Sequence, residues 1–364
     1  MSYDFYVYFK IENEEDVDNL TSALGRFAEI GDVFSRIQVL INSFKYDNLK
    51  NYARVGNRYM PRGLKALIHS NGNYNDYLSS QLYLINQLGI NLPVDISDLP
   101  EGSWVIEIPL TLKKPFISKD DIPLYIIENP VRKDKVFAIP ITSAMSWKGN
   151  LRWTMMKIHL EPKKNNPLEF AETRFRHTLL FGTEKGIEEN PKGWTKYLDE
   201  LCKEAKEEYR NKLKEYFNCT DIPHIEGMLY FYSTFWDRID MEVINPHERK
   251  TKTGKHPIYF EVVPEGAKGM FRILYVPIHY IGRYEKTEFI RRVKSDLSDV
   301  VDGLREMMLT FGFSAKKTIG YGVIKEPWDE RQSRLAVKTQ EKVSEFKFKN
   351  FEELRSLANR LWEA

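Results

Sequence analysis

From Trp104 to Leu112 the side chains alternate: Trp104, Ile106, Ile108, Leu110 and Leu112 are large and apolar and fall on one side of an extended chain. Such a run must lie in a sheet with that face against a core. The sequence also supplies what covers it. A long helix is predicted from about Thr287 to Phe311, with Val293, Leu297, Val300, Leu304, Met308 and Phe311 as its apolar stripe and Gly312 where a left-handed C-terminal cap is needed. A second helix, capped by Thr142 or Ser143, continues to about Leu160 after a short apolar run, Val136–Ile141, read as a strand. Further strands are predicted at Gly227–Phe235, Ile239–Ile244, Ile258–Val263 and Met270–Val276.

Strands interleaved with two principal helices in this order suit an α+β protein with a ferredoxin-like (RRM-like) β-α-β-β-α-β core over residues 103–330. Its helices cover one sheet face and leave the other open. In many sheets of that kind the open face meets RNA. Residues 1–102 read as an N-terminal α/β extension: a half-buried strand at Tyr3–Ile11, helical spacing from Asp16 to Phe44, loop with short helix from Asp47 to Asn75, a short helix at Leu78–Leu88, and a linker at Asn91–Gly102. A helical insertion is placed at about 162–223. Within it Trp194–Phe217 forms one amphipathic helix whose outer face balances six acids with six bases. Residues 331–364 read as a C-terminal helical tail packed on the core. Its helix starts at Asn350, with Glu353 completing a capping box and Leu354, Leu357, Ala358, Leu361 and Trp362 facing inward.

Composition narrows the function classes. The formal charge is only +2, so a nucleic-acid partner has to be sought in local excesses of Lys and Arg. No apolar stretch is long enough to span a membrane and Met1–Lys10 does not resemble a secretory signal, so a cytoplasmic protein is expected. Cys202 and Cys219 form no metal-ligand pattern, the seven histidines are scattered, and neither a GxSxG elbow nor a phosphate-binding GxxxxGK[ST] loop occurs. No cofactor and no metal are expected.

Three stretches are candidates for binding. Gly312 to Gly322 holds three glycines, two of them, Gly320 and Gly322, bracketing Tyr321. Glycine lets another backbone, of protein or nucleic acid, come close; Lys316 and Lys317 add charge and Tyr321 a ring. The same residues also read as a helix cap and tight turn with two surface lysines. On the helix after Ser143, Lys148 and Arg152 share a face near an N-terminus whose amides favour phosphate, or are simply the solvent face of an amphipathic helix. Between two predicted strands, Asn245–Pro257 carries Arg249, Lys250, Lys252 and Lys255 against Glu248, suiting a phosphate backbone or a merely solvated loop. Asp120 and Asp121 are the weak catalytic candidates, carboxylates able to orient a ribose hydroxyl or decorate a polar loop.

Taken in order, these residues resemble the RAMP superfamily, the RNA-binding subunits of type III CRISPR effector complexes. Pro130-Val131-Arg132 with Asp134 resembles the segment after the first core strand. Ile139-Pro140 through Ser146, Lys148-Gly149 and Leu151-Arg152 resembles the helix start Pro-Gly-Ser-Ser-Leu-Lys-Gly-x-Leu-Arg, although Ile141 replaces the glycine and the spacing is longer. Leu180-Phe181-Gly182-Thr183 with Gly227–Phe231, and then Gly312–Gly322, resemble the phenylalanine-glycine turn with its following strand and the C-terminal glycine-rich loop. The likeness covers about 104–325. Val243-Ile244-Asn245-Pro246-His247 with Pro257–Phe260 looks most like the Cmr-type terminal subunit.

The resemblance implies a non-catalytic subunit that holds guide RNA by its backbone, meets target RNA, and packs against other RAMP subunits in antiviral defence. Ser143, Lys148, Arg152, Lys316, Lys317, Gly320, Tyr321 and Gly322 would lie on the RNA, and Arg249, Lys250 and Lys252 would sit on a hairpin resembling the thumb that interrupts the duplex. In cleaving relatives an aspartate after the first core strand cuts target RNA; Asp120 or Asp121 would hold that position, but no motif pins it and no cleavage is expected. The alternatives are a metal-dependent RAMP-type endoribonuclease, cutting target or processing guide RNA, and a structural scaffold without RNA affinity.

Overall fold

The alternating run is the middle strand of the sheet. The structure, a computed structural model, describes residues 4–57, 59–70, 73–120, 125–184, 192–222, 224–244, 257–340 and 342–361. In chain order its main elements are helices α1 (Glu14–Ser22), α2 (Val33–Val39), α3 (Asp47–Val55) and α4 (Asn73–Gln87), then β1 (Trp104–Thr111), β2 (Ile141–Thr142), α5 (Ala144–Met155), α6 (Pro167–Phe181), α7 (Trp194–Leu201) and α8 (Ala205–Phe217). There follow β3 (Leu229–Phe231), β4 (Thr234–Phe235), β5 (Asp240–Ile244), β6 (Ile258–Val262), β7 (Lys268–Tyr275), α9 (Lys286–Glu306), β8 (Arg334–Lys338), β9 (Val343–Phe346) and α10 (Phe351–Arg360). The main sheet has the order β3-β7-β1-β8-β9 with every neighbouring pair antiparallel. Strands β1, β3, β7 and β8 with α5 and α9 follow one another as β-α-β-β-α-β. Strands β5 and β6 form a separate hairpin, and β2 pairs with β4.

Trp104, Ile106, Ile108 and Leu110 are buried as their spacing requires, with Trp104 stacked on Tyr275 of the paired strand at 4.8 Å. Helices α5 and α9 cover this face. Trp147 meets Phe271 edge-on at 4.9 Å, and the helices approach so closely at Gly303 that a Cβ there would stand 2.6 Å from Met155 Cγ. The opposite face is not open, contrary to expectation. Val105 and Ala336 are buried against Ile96 of the segment after α4, and Glu107 sits at 4% exposure beside Arg272 (3.3 Å) and Arg334 (3.5 Å). Both arginines are tied to that segment, Arg272 to Asn91 and Arg334 to the Val94 carbonyl. A buried carboxylate is tolerable because it is paired and hydrogen-bonded.

Several elements differ from their sequence expectation. The described part of Tyr3–Ile11 is not a strand: Asp4 caps a helical turn at Phe5–Tyr8, and of Phe5, Val7, Phe9 and Ile11 the last two alone are buried. Alternation makes a strand only where an edge is there to pair with, and the described part of residues 4–103 is helical without any strand. The described part of 47–75 carries more helix than the short one expected, α3 and further helical turns at 63–70. Trp194–Phe217 is two helices, broken where buried Cys202 leaves the helical conformation. Helix α6, within the expected insertion, lacks a readable stripe because it is buried nearly all round from Phe170 to Phe181. Val136–Ile141 gives only β2, since Asp134 turns the chain by accepting from the Val136 and Phe137 amides. Finally, the tail contains β8 and β9. The run Leu335-Ala336-Val337 is buried on both faces and so shows no alternation. Helix α10 is capped by Asn350 as expected, the Glu353 amide donating to it at 2.8 Å, but the Glu353 carboxylate accepts from the Lys349 amide at 3.0 Å, one residue before the cap; Trp362 lies outside the described residues.

Candidate nucleic-acid interface

Two of the singled-out segments, the helix start and the glycine-rich loop, meet on α5. Ser143 is the N-cap: its hydroxyl accepts from the Ser146 amide at 3.3 Å, and the Ala144 amide donates to Ser233 Oγ at 3.3 Å. Two of the amides expected to face phosphate are thus satisfied within the protein. From there the helix presents two sides. Arg152 faces the helical insertion, 3.8 Å from buried Glu184 and 5.9 Å from the Phe181 ring centre. Glu184 in turn holds Arg174, fully buried between it and Asp199 and 4.3 Å from the Tyr209 ring centre. Lys148 is half-buried beside Arg152, and burial and then that neighbouring charge lower its pKa.

The other side, Asn150 and Trp153, receives the glycine-rich loop. The loop is anchored at its base: Phe313 N donates to Gly322 O, Ala315 N to Ile117 O, Gly322 N to Pro115 O, and Ile117 N to Ser314 Oγ. Gly312 and Gly322 have positive φ, and a Cβ would stand 2.4 Å from Tyr321 O at the first and 2.5 Å from Ser314 N at the second. The backbone that comes close at these two glycines is the protein's own. Gly320, also at positive φ, faces open space. Lys317 Nζ lies 2.6 Å from Asn150 Oδ1 and 4.4 Å from the Trp153 ring centre, and burial lowers its pKa. Lys316 Nζ lies 4.3 Å from the Phe260 ring centre on β6. Tyr321 donates to Glu242 on β5 at 2.8 Å; burial first, then this carboxylate, pushes its hydroxyl up to about 12. Neither Lys316 nor Lys317 pairs with a described carboxylate.

The loop therefore bridges α5 and the base of the β5–β6 hairpin. Arg249, Lys250 and Lys252 at the hairpin tip, and Asp121, lie outside the described residues. Asp120 is described: its Oδ2 accepts from the Lys133 amide at 3.3 Å and its own amide donates to Pro130 O. Sequence reasoning missed Asn150 and Trp153, and it missed the buried cluster of Lys133 and Glu261 with Tyr125, whose hydroxyl donates to Glu261 at 2.5 Å. An asparagine inside a helix gives no signal of its own; only the loop folded against it makes it notable. Among the described residues no group of His, Cys, Asp or Glu is arranged to hold a metal, and no described helix is long and apolar enough to cross a membrane.

An antiparallel sheet backed by helices, with a cationic glycine-rich loop packed on the first core helix, defines an α+β protein with a candidate anion-binding surface. The chain belongs to the RAMP superfamily, which residues 101–325 match. Among solved structures it is similar to a chain of the Type III-B Cmr-beta structure bound to cognate target RNA, at 12% identity over 92% of this chain and 99% of that one, with a TM-score of 0.43. A CRISPR RNA-guided surveillance complex matches at 12% identity over 66% and 72%, TM-score 0.38. Cmr6 from Pyrococcus furiosus matches at 15% over 61% and 99%, TM-score 0.30. No curated protein matches the chain.

Proposed function

We propose that the chain is a non-catalytic RNA-binding subunit of a type III CRISPR ribonucleoprotein, holding guide RNA through its backbone and packing against other RAMP subunits, with a Cmr-type terminal position as the finer reading. One observation carries it. Lys316 and Lys317 are partly buried ammonium groups held against Phe260, Trp153 and Asn150, all neutral, so their charge is left for an external anion. A repeating phosphate backbone fits this better than a lone anion, because two such ammonium groups sit on consecutive residues of one loop. Arg152, drawn towards Glu184, is a weaker contact on this reading. Asp120, bonded to the Lys133 amide, acts as a loop fastener, which favours binding over cleavage.

The test is binding of a labelled single-stranded RNA across a salt series. Wild type binds irrespective of sequence, with log affinity falling linearly in log salt. Lys316→Glu with Lys317→Glu lowers affinity by at least about a hundredfold, reversing two phosphate contacts. Absence of binding at low salt, by the chain alone and within its assembled complex, refutes the reading. A defined RNA product, formed with or without Mg²⁺ and lost in Asp120→Ala, establishes the nuclease alternative instead.

A further inference from the structure

We infer that Asn150 is the positioning residue for the Lys317 ammonium, aiming it at a phosphate while leaving its charge uncancelled. This rests on the RNA-backbone reading above and goes beyond it, since Asn150 occupies the one position that the helix-start motif leaves unspecified.

The geometry fixes the amide. Asn150 Nδ2 donates to the Ser146 carbonyl at 2.8 Å, one helical turn back, and reaches the Phe313 carbonyl at 3.4 Å, at the root of the glycine-rich loop. Its Oδ1 is thereby turned to Lys317 Nζ at 2.6 Å. A flipped amide would place its NH2 group against an ammonium and its one oxygen against two carbonyl oxygens, so the network permits one orientation. A single side chain thus joins helix, loop root and loop lysine.

The chemistry of the partner matters as much as its place. A carboxylate would make the stronger hydrogen bond, but it would neutralise the lysine. The amide and the Trp153 ring attract a cation without a counter-charge. Lys157 shows the contrast on the same ring: it lies 5.8 Å from the Trp153 centre, but Glu161 pairs with it and its charge is matched. With one N–H given to Asn150, the remaining donors of Lys317 are available to an anion.

The test uses the full chain with Asn150→Asp, Asn150→Ala and Lys317→Met, labelled single-stranded RNA over a salt series, and nitrogen NMR of the Lys317 ammonium. Asn150→Asp, close to isosteric, is expected to lower affinity about tenfold and to reduce the salt slope by about 0.7, matching Lys317→Met. Asn150→Ala is expected to cost about threefold in the wild-type background and nothing in Lys317→Met. If Lys317→Met weakens binding while both Asn150 variants bind like wild type, the positioning role is wrong and the RNA reading survives. If Lys317→Met changes nothing, the inference falls and the Lys316 contact alone bears on the RNA reading. Should wild type fail to bind RNA, the functional reading fails and NMR decides the rest: an ammonium resonance unmoved by Asn150→Ala overturns the positioning role, and a displaced one supports it.

Discussion

His177 shows how much a single buried residue contributes to the pH range of the fold. It is 5% exposed; its Nε2 lies 3.4 Å from His159 Nδ1, and its Nδ1 has no hydrogen-bond partner. Burial, then His159 and Arg176 beside it, hold its pKa well below 6.5, and burial lowers His159 as well. The unfolded chain takes up these protons near 6.5 and the folded chain does not, so stability is complete above that pH and declines as pH falls below it. Each proton contributes up to about 1.4 kcal/mol per pH unit. Urea midpoints measured from about pH 7.5 to about pH 5 should fall for wild type and fall less for His177→Gln; parallel curves would show that the pair is not buried as described. Nothing around the histidines in the sequence gives this away, because each lies on a different helical segment.

Among the elements, the glycine-rich loop separates two uses of glycine that look identical in sequence. Gly312 has φ 74° and ψ 161°, a region open almost to glycine alone, and backbone stands where its Cβ would be. Gly320 has φ 81° and ψ 18°, the left-handed region, with nothing within 4 Å of where a Cβ would stand. Gly312→Ala should therefore cost about 3 kcal/mol or more and Gly320→Ala about 1 kcal/mol, read from thermal or denaturant unfolding. Equal losses would mean the loop base is not crossed as described. Helices follow a similar logic. Amphipathic ones such as α9 were legible from their stripe, whereas α6, surrounded by protein, has none to read.

For the whole molecule the decisive feature is that the sheet is covered on one face by α5 and α9 and, around Val105, Glu107 and Ala336 of the other face, by the segment leading out of α4. One hydrophobic cluster runs from Phe9 to Ala358, joining the N-terminal helices to the RAMP-matching region. Glu107, between Arg272 and Arg334, ties the second face together from beneath. Glu107→Ala should destabilise by about 3–5 kcal/mol, because it leaves two largely buried arginines without that partner. Glu345→Ala removes a half-exposed partner of Arg334 and should cost less than about 1 kcal/mol. Comparable effects in chemical denaturation would argue against a covered second face around Glu107.

The sequence by itself determined the strand at Trp104–Thr111, the amphipathic helix α9, a helix start at Thr142 or Ser143 and the cap at Asn350. Each is set by periodicity or by hydrogen bonds within a few residues, which local chemistry specifies. It also held the ordered motifs that place the chain in the RAMP superfamily. Only the tertiary structure decided that Tyr3–Ile11 would not be a strand, that Leu335-Ala336-Val337 would be one, and that Lys317 would rest on Asn150 and Trp153. Strand pairing, burial on two faces, and a charge held by neutral groups depend on what arrives from far along the chain.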